Sequence, residues 1–359
     1  MSYTPKKMCN FAKHVFMEQS FLSIHFPAEW ALQAAVLLTW PHPDTDWKPL
    51  GEVIPCFVSI AKAIIQREKL VVVCRSVEEV KQALSETDYT RIIFREIPSN
   101  DTWARDHGPI SIFVNDTPYL LDFTFNGWGL KFPANYDNQI TRQLYESQVF
   151  SPETVYQSML HVVLEGGSIE TDGEGTLLTT GRCLLSVNRN DYKSREEIAD
   201  YLSMIFGAKR VLWLNHGYLA GDDTDSHIDT LARFCNPETI AYVQCTDPND
   251  EHFDELSRME SELCKFKTLA GNPYRLIPLP MVEPVYYAGE RLPATYANFL
   301  IINGAVLSPF YHSPLDEIAM QRLQEAFPDR EIIGIDCRPL IKQHGSLHCV
   351  TMQLPAGFV

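Results

Sequence analysis

Cys349 lies ten positions from the end of the chain, in the run His344-Gly-Ser-Leu-His-Cys-Val-Thr-Met352. A thiol there is useful if the chain's end returns to the middle of the fold. Its neighbours Gly345, Ser346 and His348 are polar and turn-like, unlike those of a cysteine packed in a core. Two other polar runs suit it as partners: Trp103-Ala-Arg-Asp-His-Gly-Pro109 and Asp225-Ser-His-Ile-Asp-Thr230. A thiol, a histidine and several carboxylates from distant parts of one chain suggest nucleophilic catalysis on a cationic substrate.

Each run also has a plainer reading. The first could be a surface turn with a packed Trp103, but the adjacent Arg105 and Asp106 would be costly in a packed turn unless paired. The functional reading sets Asp106 against a cation, with Trp103 as an aromatic wall. In the second run His227 and Asp229 are two apart, so on a strand they face the same side. A histidine between Asp225 and Asp229 can be tuned for proton transfer. A metal set of His227, Asp229, His344 and His348 is disfavoured, because neither HExxH nor paired CxxC is present. Leu164-Glu-Gly-Gly-Ser-Ile-Glu170 places Glu165 at the end of an apolar run, beside two glycines that let the backbone turn or approach a ligand. Asn126-Gly-Trp-Gly129 could line a pocket with Trp128, and Asn298 and Asn303 alternate with an apolar strand.

Short strands and helices must position these runs. Ser76-Val-Glu-Glu79 and Ser194-Arg-Glu-Glu197 are capping-box starts, and Ser313-Pro-Leu-Asp316 opens a third helix with Pro at its first position. Further helices are expected over 58–67 and 251–266. Strands are expected at Lys69–Cys74, Arg91–Phe94, Arg210–Trp213, Tyr274–Pro278 and Glu331–Ile335. Hairpin-like pairs flank Asn115-Asp-Thr117 and Asp172-Gly-Glu-Gly175. The count comes to about five helix-plus-strands units of roughly 60–70 residues, with no linker between them. An ordinary α/β or α+β domain and a closed, pseudo-repeated α/β ring both fit that spacing.

Composition narrows the class. The chain has 359 residues, 45% of them hydrophobic, and a formal charge of −16. That is ample material for a large core. The nine cysteines form no CxxC pair, and their odd number favours reduced thiols and a cytoplasmic protein. Met1-Ser-Tyr-Thr-Pro-Lys-Lys7 leads into a mixed segment rather than an apolar signal core. No stretch approaches the roughly 20 apolar residues of a membrane helix. No Lys/Arg cluster offers phosphate contacts, so neither nucleic acid nor membrane is an expected partner.

Together the runs resemble the agmatine deiminase/bacterial-type peptidylarginine deiminase family of the guanidino-group-modifying (pentein) superfamily. The matching runs are Thr39-Trp-Pro41 with 44–47, Trp103–Pro109, Asn126–Gly129, Glu165-Gly-Gly167, Asn188-Arg-Asn190, His227-Ile-Asp229, 293–303 and His348-Cys349. They keep the family's order over nearly the whole chain. The resemblance implies one domain, 1–359: a five-bladed pseudo-symmetric α/β propeller of ββαβ-type units around a central active-site channel. It implies no metal, no organic cofactor, a small cationic guanidino substrate, and a homodimer by analogy. Position by position it makes Cys349 the nucleophile and His227 the general acid/base. Asp106 and Asp229 would hold the guanidinium, and Glu165 would orient His227. Trp103, Trp128 and Asn298 would be further substrate contacts. The chain departs from agmatine-specific members in two places. His344-Gly-Ser-Leu-His-Cys349 replaces a Gly-Gly-Gly-Asn run, and His107 replaces a small hydroxyl residue. Both departures bear on the substrate's tail.

This chemistry suits those residue types. A guanidinium is planar and cationic, with a pKa above about 12, and its carbon is a poor electrophile. Two carboxylates can hold its edges. A thiol, with a pKa near about 8.5, can be activated by the substrate's charge or by a protonated His227. The expected reaction is hydrolysis of agmatine to N-carbamoylputrescine and ammonia through a covalent thiouronium, feeding polyamine synthesis. Free or peptidyl arginine as substrate, amidino transfer, and a non-catalytic binding protein on the same fold remain alternatives. A papain-like protease would have the Cys upstream of the His, the reverse of the order here.

Overall fold

The computed structural model describes residues 23–192 and 194–359. The segment Met1–Lys7 lies outside them. The fold is mixed α/β, and its strands form five open sheets of three or four strands plus a two-stranded hairpin, Tyr286–Tyr287 with Glu290–Arg291.

The five sheets share one plan. An antiparallel pair is followed by a helix and then a strand parallel to the second member of the pair. Ile169–Thr171 and Thr176–Thr180 are antiparallel, and Arg210–Leu214 returns parallel after the helix Arg195–Phe206. Ala232–Asn236, Thr239–Gln244, the helix Phe253–Leu263 and Arg275–Pro280 repeat it. So do Leu300–Ile302, Ala305–Phe310, the helix Asp316–Ala326 and Glu331–Asp336. Ile110–Val114, Thr117–Thr124, the helix Ile140–Glu146 and Val155–Val163 form a fourth sheet, extended by Ile24–His25. In the fifth sheet the antiparallel partner comes from the far end of the chain. Thr351–Pro355 pairs with Gln33–Thr39, which lies parallel to Lys69–Cys74 and then Ile92–Glu96. The chain's end therefore does return to its beginning, with Cys349 in the turn just ahead of that last strand.

Local chemistry sets the helix ends. Ser76 and Ser194 accept the backbone N–H groups of Glu79 and Glu197, as the capping pattern requires. Gly207 ends the second helix at φ 66°, a conformation without penalty only for glycine. Two expected starts shift. The helix expected at 58 runs over Leu50–Ile65 through Pro55, because Val53, Cys56, Phe57, Ile60, Ala61 and Ile64 form one buried stripe spanning the proline. The helix expected from Ser313-Pro starts only at Asp316. Trp103–Pro109, which matched neither helix nor strand, contains a single helical turn, Ala104–His107.

One fully buried guanidinium ties the sheets together. Arg233 donates to Glu170 and, at 2.7 Å, to Glu29. It also donates to the Phe299 carbonyl at 2.6 Å and lies over the Phe299 ring. Those partners sit on or beside the first strands of three other sheets. Arg233→Met should lower stability by about 3–5 kcal/mol, because it strands Glu170 and leaves Glu29 with only the more distant Arg105. Urea denaturation measures it, and a loss under about 1 kcal/mol would contradict this role.

Candidate active site

Each sheet delivers site residues from the turn that enters its first, antiparallel strand. Asp106 lies in the turn before Ile110–Val114, and Glu165 precedes the short helical turn Gly166–Ser168 that leads into Ile169–Thr171. His227 caps the turn Ile228–Thr230 that carries Asp229 into Ala232–Asn236. Asn298 stands ahead of Leu300–Ile302, and Cys349 ahead of Thr351–Pro355. All are buried. A Cβ on Gly167 would lie 2.6 Å from His227 Nδ1, 2.9 Å from Asp106 Oδ1 and 3.1 Å from Asp229 Oδ2. Three side chains from two turns thus converge on one backbone point, in a third turn, that only glycine can occupy.

Asp106 is held on both oxygens. The Gly167 N–H donates to Oδ1 at 3.1 Å and the Trp128 indole to Oδ2 at 3.0 Å. Trp128 itself adopts φ 54° between two glycines in left-handed conformations. Asn126 holds this turn by accepting the Gly129 N–H at 2.8 Å and donating to the Asn188 carbonyl at 2.8 Å. Trp103 crosses Trp128 edge-on at 5.9 Å. Asp229 Oδ2 takes a hydrogen bond from His348 Nδ1 at 2.7 Å, while Oδ1 is buried without a partner. Asn298 Oδ1 accepts the His348 N–H at 2.9 Å and lies 3.4 Å from Cys349 Sγ. It thus braces the turn that carries Cys349. His227 Nδ1 is 3.7 Å from Asp106 Oδ1, and Nε2 has no partner.

Glu165 sits within 4.8 Å of His227, yet its hydrogen bonds go to Arg189, whose Nε reaches both oxygens at 2.9 and 3.0 Å. Arg189 also binds Asp225 at 2.6 Å and the Thr224 carbonyl at 2.8 Å. Sequence reasoning gave Arg189 no role, although Asn188-Arg-Asn190 was among the matching runs. Nor did it give one to Glu29 or Arg105. His344 turns to the Gly221 carbonyl. Two groups could in principle ligate a metal, Glu165/Cys183/His227 and Glu29/Glu170/His348. Each already contains a buried guanidinium, Arg189 or Arg233, bonded to its carboxylates.

The electrostatics leave room for one more cation. Burial pushes Asp106 well above the usual carboxylate range, and Asp229 and Glu165 push it further. Burial, Asp229 and Asp106 likewise raise the Cys349 thiol well above its ordinary value. Burial takes His227 down to about 3, so it is neutral. Burial opposes the charge on Asp229, but His348, His227 and Arg233 bring its carboxyl below the ordinary range.

The site opens into a cavity of about 690 Å³ that reaches Trp103, Asp106, Trp128 and Cys349. Its described lining holds seven acids: Asp44, Asp46, Glu96, Asp101, Asp106, Asp137 and Asp223. Arg75 is the only Lys or Arg among the described lining residues, and it is paired with Asp44.

Comparison with known proteins agrees with this geometry. The family model for the Porphyromonas-type peptidyl-arginine deiminases matches residues 25–355. The agmatine deiminase of Pseudomonas syringae pv. tomato is 34% identical, with 93% of this chain and 96% of that protein covered. A candidate arginine deiminase from Porphyromonas gingivalis superposes with a TM-score of 0.91 at 56% identity, covering 94% of this chain and all of its own. The agmatine deiminase of C. jejuni, solved with substrate bound, gives 0.88 at 38% identity over 94% and 98% of the two chains. With matched residues spanning the whole site, the chain belongs to the Porphyromonas-type peptidyl-arginine deiminase family.

Proposed function

We propose that this protein is an agmatine deiminase, a hydrolase that converts agmatine to N-carbamoylputrescine and ammonia. One observation carries the reading. Asp106 and Cys349 line a cavity whose walls are acidic well beyond them, and Asp229 packs beside Asp106 against Gly167. Agmatine is cationic at both ends, and acids near the mouth suit its ammonium tail. Arginine as substrate draws support from the 56% identical Porphyromonas gingivalis neighbour. Its carboxylate, however, would meet Asp44, Asp46 and Asp101, with Arg75 already engaged.

The mechanism follows from the charges. Asp106 and Asp229 grip the edges of the guanidinium. The incoming cation cancels the field that holds Cys349 as a thiol, so the thiol proton passes to the neutral His227. Sγ attacks the guanidino carbon and forms a C–S bond. His227 returns the proton to one NH₂ group, the C–N bond breaks, and ammonia leaves. A cationic thiouronium remains on Cys349. His227 then takes a proton from water, whose oxygen bonds to the same carbon. The C–S bond breaks, His227 returns its proton to the thiolate, and the ureido product departs after giving its extra proton to solvent. Paired with Arg189, Glu165 holds a fixed carboxylate within 4.8 Å of His227, placed to orient the ring once it carries a proton.

The five like-built sheets, each feeding the same cluster, support a five-bladed pseudo-symmetric propeller acting as one catalytic domain, 1–359. The eight described cysteines are free, and seven of them are buried. No described helix is long and apolar enough to cross a membrane. Both facts suit a cytoplasmic enzyme of polyamine synthesis, and a homodimer is the assembly we expect.

Cys349→Ala should abolish ammonia release while agmatine still binds, read by calorimetry; retained turnover would remove Cys349 as nucleophile. Asp106→Asn should lower kcat/KM by about 100-fold or more, because a buried charge partner of the substrate is lost. Unchanged kinetics would take Asp106 out of the site. Burial, helped by Asp46, raises Asp101 to about 7, and burial also raises Asp137 to about 7. Each is neutral below that pH and anionic above it. The KM for agmatine should therefore fall as pH rises through about 7, and the KM for methylguanidine should fall less. Parallel profiles would contradict an acidic tail site.

A further inference from the structure

Behind Asp229, on the side away from the cavity, lies a residue the mechanism does not use. His348 is 1% exposed, and both its ring nitrogens meet carboxylates: Nδ1 at 2.7 Å from Asp229 Oδ2 and Nε2 at 2.7 Å from Glu29 Oε2. Glu29 is anchored in turn by the Ile301 N–H at 2.7 Å and by Arg233 at 2.7 Å, with Arg105 at 3.9 Å. The His348 backbone is fixed as well, its N–H donating to Asn298 Oδ1. The imidazole therefore cannot swing away from Asp229 without breaking the contacts of both ring nitrogens.

We propose that His348 is a positioning residue for the guanidinium: held from behind by Glu29, it donates from Nδ1 to Oδ2 of Asp229 and so aims the unpartnered Oδ1 at the substrate. An ionised carboxylate only accepts hydrogen bonds, so each short contact requires a proton on its line. Two such contacts mean two protons shared by Glu29, His348 and Asp229, leaving the trio one net negative charge whichever group carries the second proton. Burial, Arg105 and Arg233 disfavour a full charge on the ring, whereas Glu29 and Asp229 draw the proton back to it. The result is an Asp229 that stays an acceptor although it is buried. Asp106 has no such support: its two donors are the neutral Trp128 indole and the Gly167 N–H, and its carboxyl rises instead. The two acids facing the substrate would then differ in kind. Asp229 is a standing anion, and Asp106 becomes one when the cation arrives.

This inference rests on the deiminase reading, and isosteres separate the two. The side-chain amide nitrogen of Asn overlays His Nδ1, and that of Gln overlays Nε2. His348→Asn keeps a donor for Asp229 and loses Glu29, while His348→Gln keeps Glu29 and loses the donor to Asp229. Steady-state kinetics with agmatine should show a drop in kcat/KM of about 10- to 100-fold for His348→Gln, expressed largely in KM. His348→Asn should retain most of the wild-type value, with similar melting temperatures for both. Agmatine binding to Cys349→Ala carrying each substitution, measured by calorimetry, should follow the same order. Equal losses, or a better His348→Gln, would overturn the proposal and leave His348 a strut between strands. A wild-type protein inert on all guanidines would sink the deiminase reading, and the binding order would still decide the role of His348. Absence of agmatine binding in all variants would overturn both.

Discussion

The structure turns on one electrostatic constraint. Asp106, Asp229 and Cys349 cannot all be anionic together in a buried site unless a cation stands among them. Among the described residues, the cations nearest these groups are engaged with other carboxylates. Arg189 pairs with Glu165 and Asp225, and Arg233 pairs with Glu29 and Glu170. The centre is left short of one positive charge, of a size and planarity that two carboxylates can grip. Ligand-free, the deficit is relieved by protons: Asp106 and the Cys349 thiol are pushed up. The arriving guanidinium replaces those protons. Binding and nucleophile activation then become one event, and the thiol is armed only when there is something to attack.

That arrangement demands an architecture able to bring five short turns to one point. Like-built sheets achieve it by presenting the same part of each, the entry to the antiparallel strand. Pairing of Thr351–Pro355 with Gln33–Thr39 then sets the nucleophile's turn beside the other four. The buried Arg233 links the lead-ins of neighbouring sheets, so the scaffold and the site share one ionic network. Glycine enters where side chains crowd the centre. Gly167 leaves space for His227, Asp106 and Asp229 to meet, and Gly345 leaves space for the ring of Trp103.

Much of this is legible in the chain, and the remainder fails for physical reasons. Ser76 and Ser194 declare their helices because capping is local chemistry. The candidate site residues stand out because charged groups beside Gly and Pro fit neither a helix face nor a strand. The helix through Pro55 is hidden, since its buried stripe outweighs a residue usually taken as a breaker. Glu29, Arg189 and Arg233 are hidden more deeply. Each lies in an ordinary stretch, and its importance comes from partners 24 to 319 positions away. Sequence patterns reveal residues with unusual neighbours along the chain; they do not reveal residues whose unusual neighbours are in space.

The covalent link between Cys349 and the guanidino carbon is the central claim, and acid-quenching the enzyme during turnover of agmatine tests it most directly. Peptide mass spectrometry of the quenched protein should find agmatine less ammonia added to the peptide that contains Cys349, and the adduct should vanish as substrate is exhausted. An adduct on another cysteine, or steady turnover with Cys349 unmodified at every quench time and in slowed His227 variants, would contradict the account.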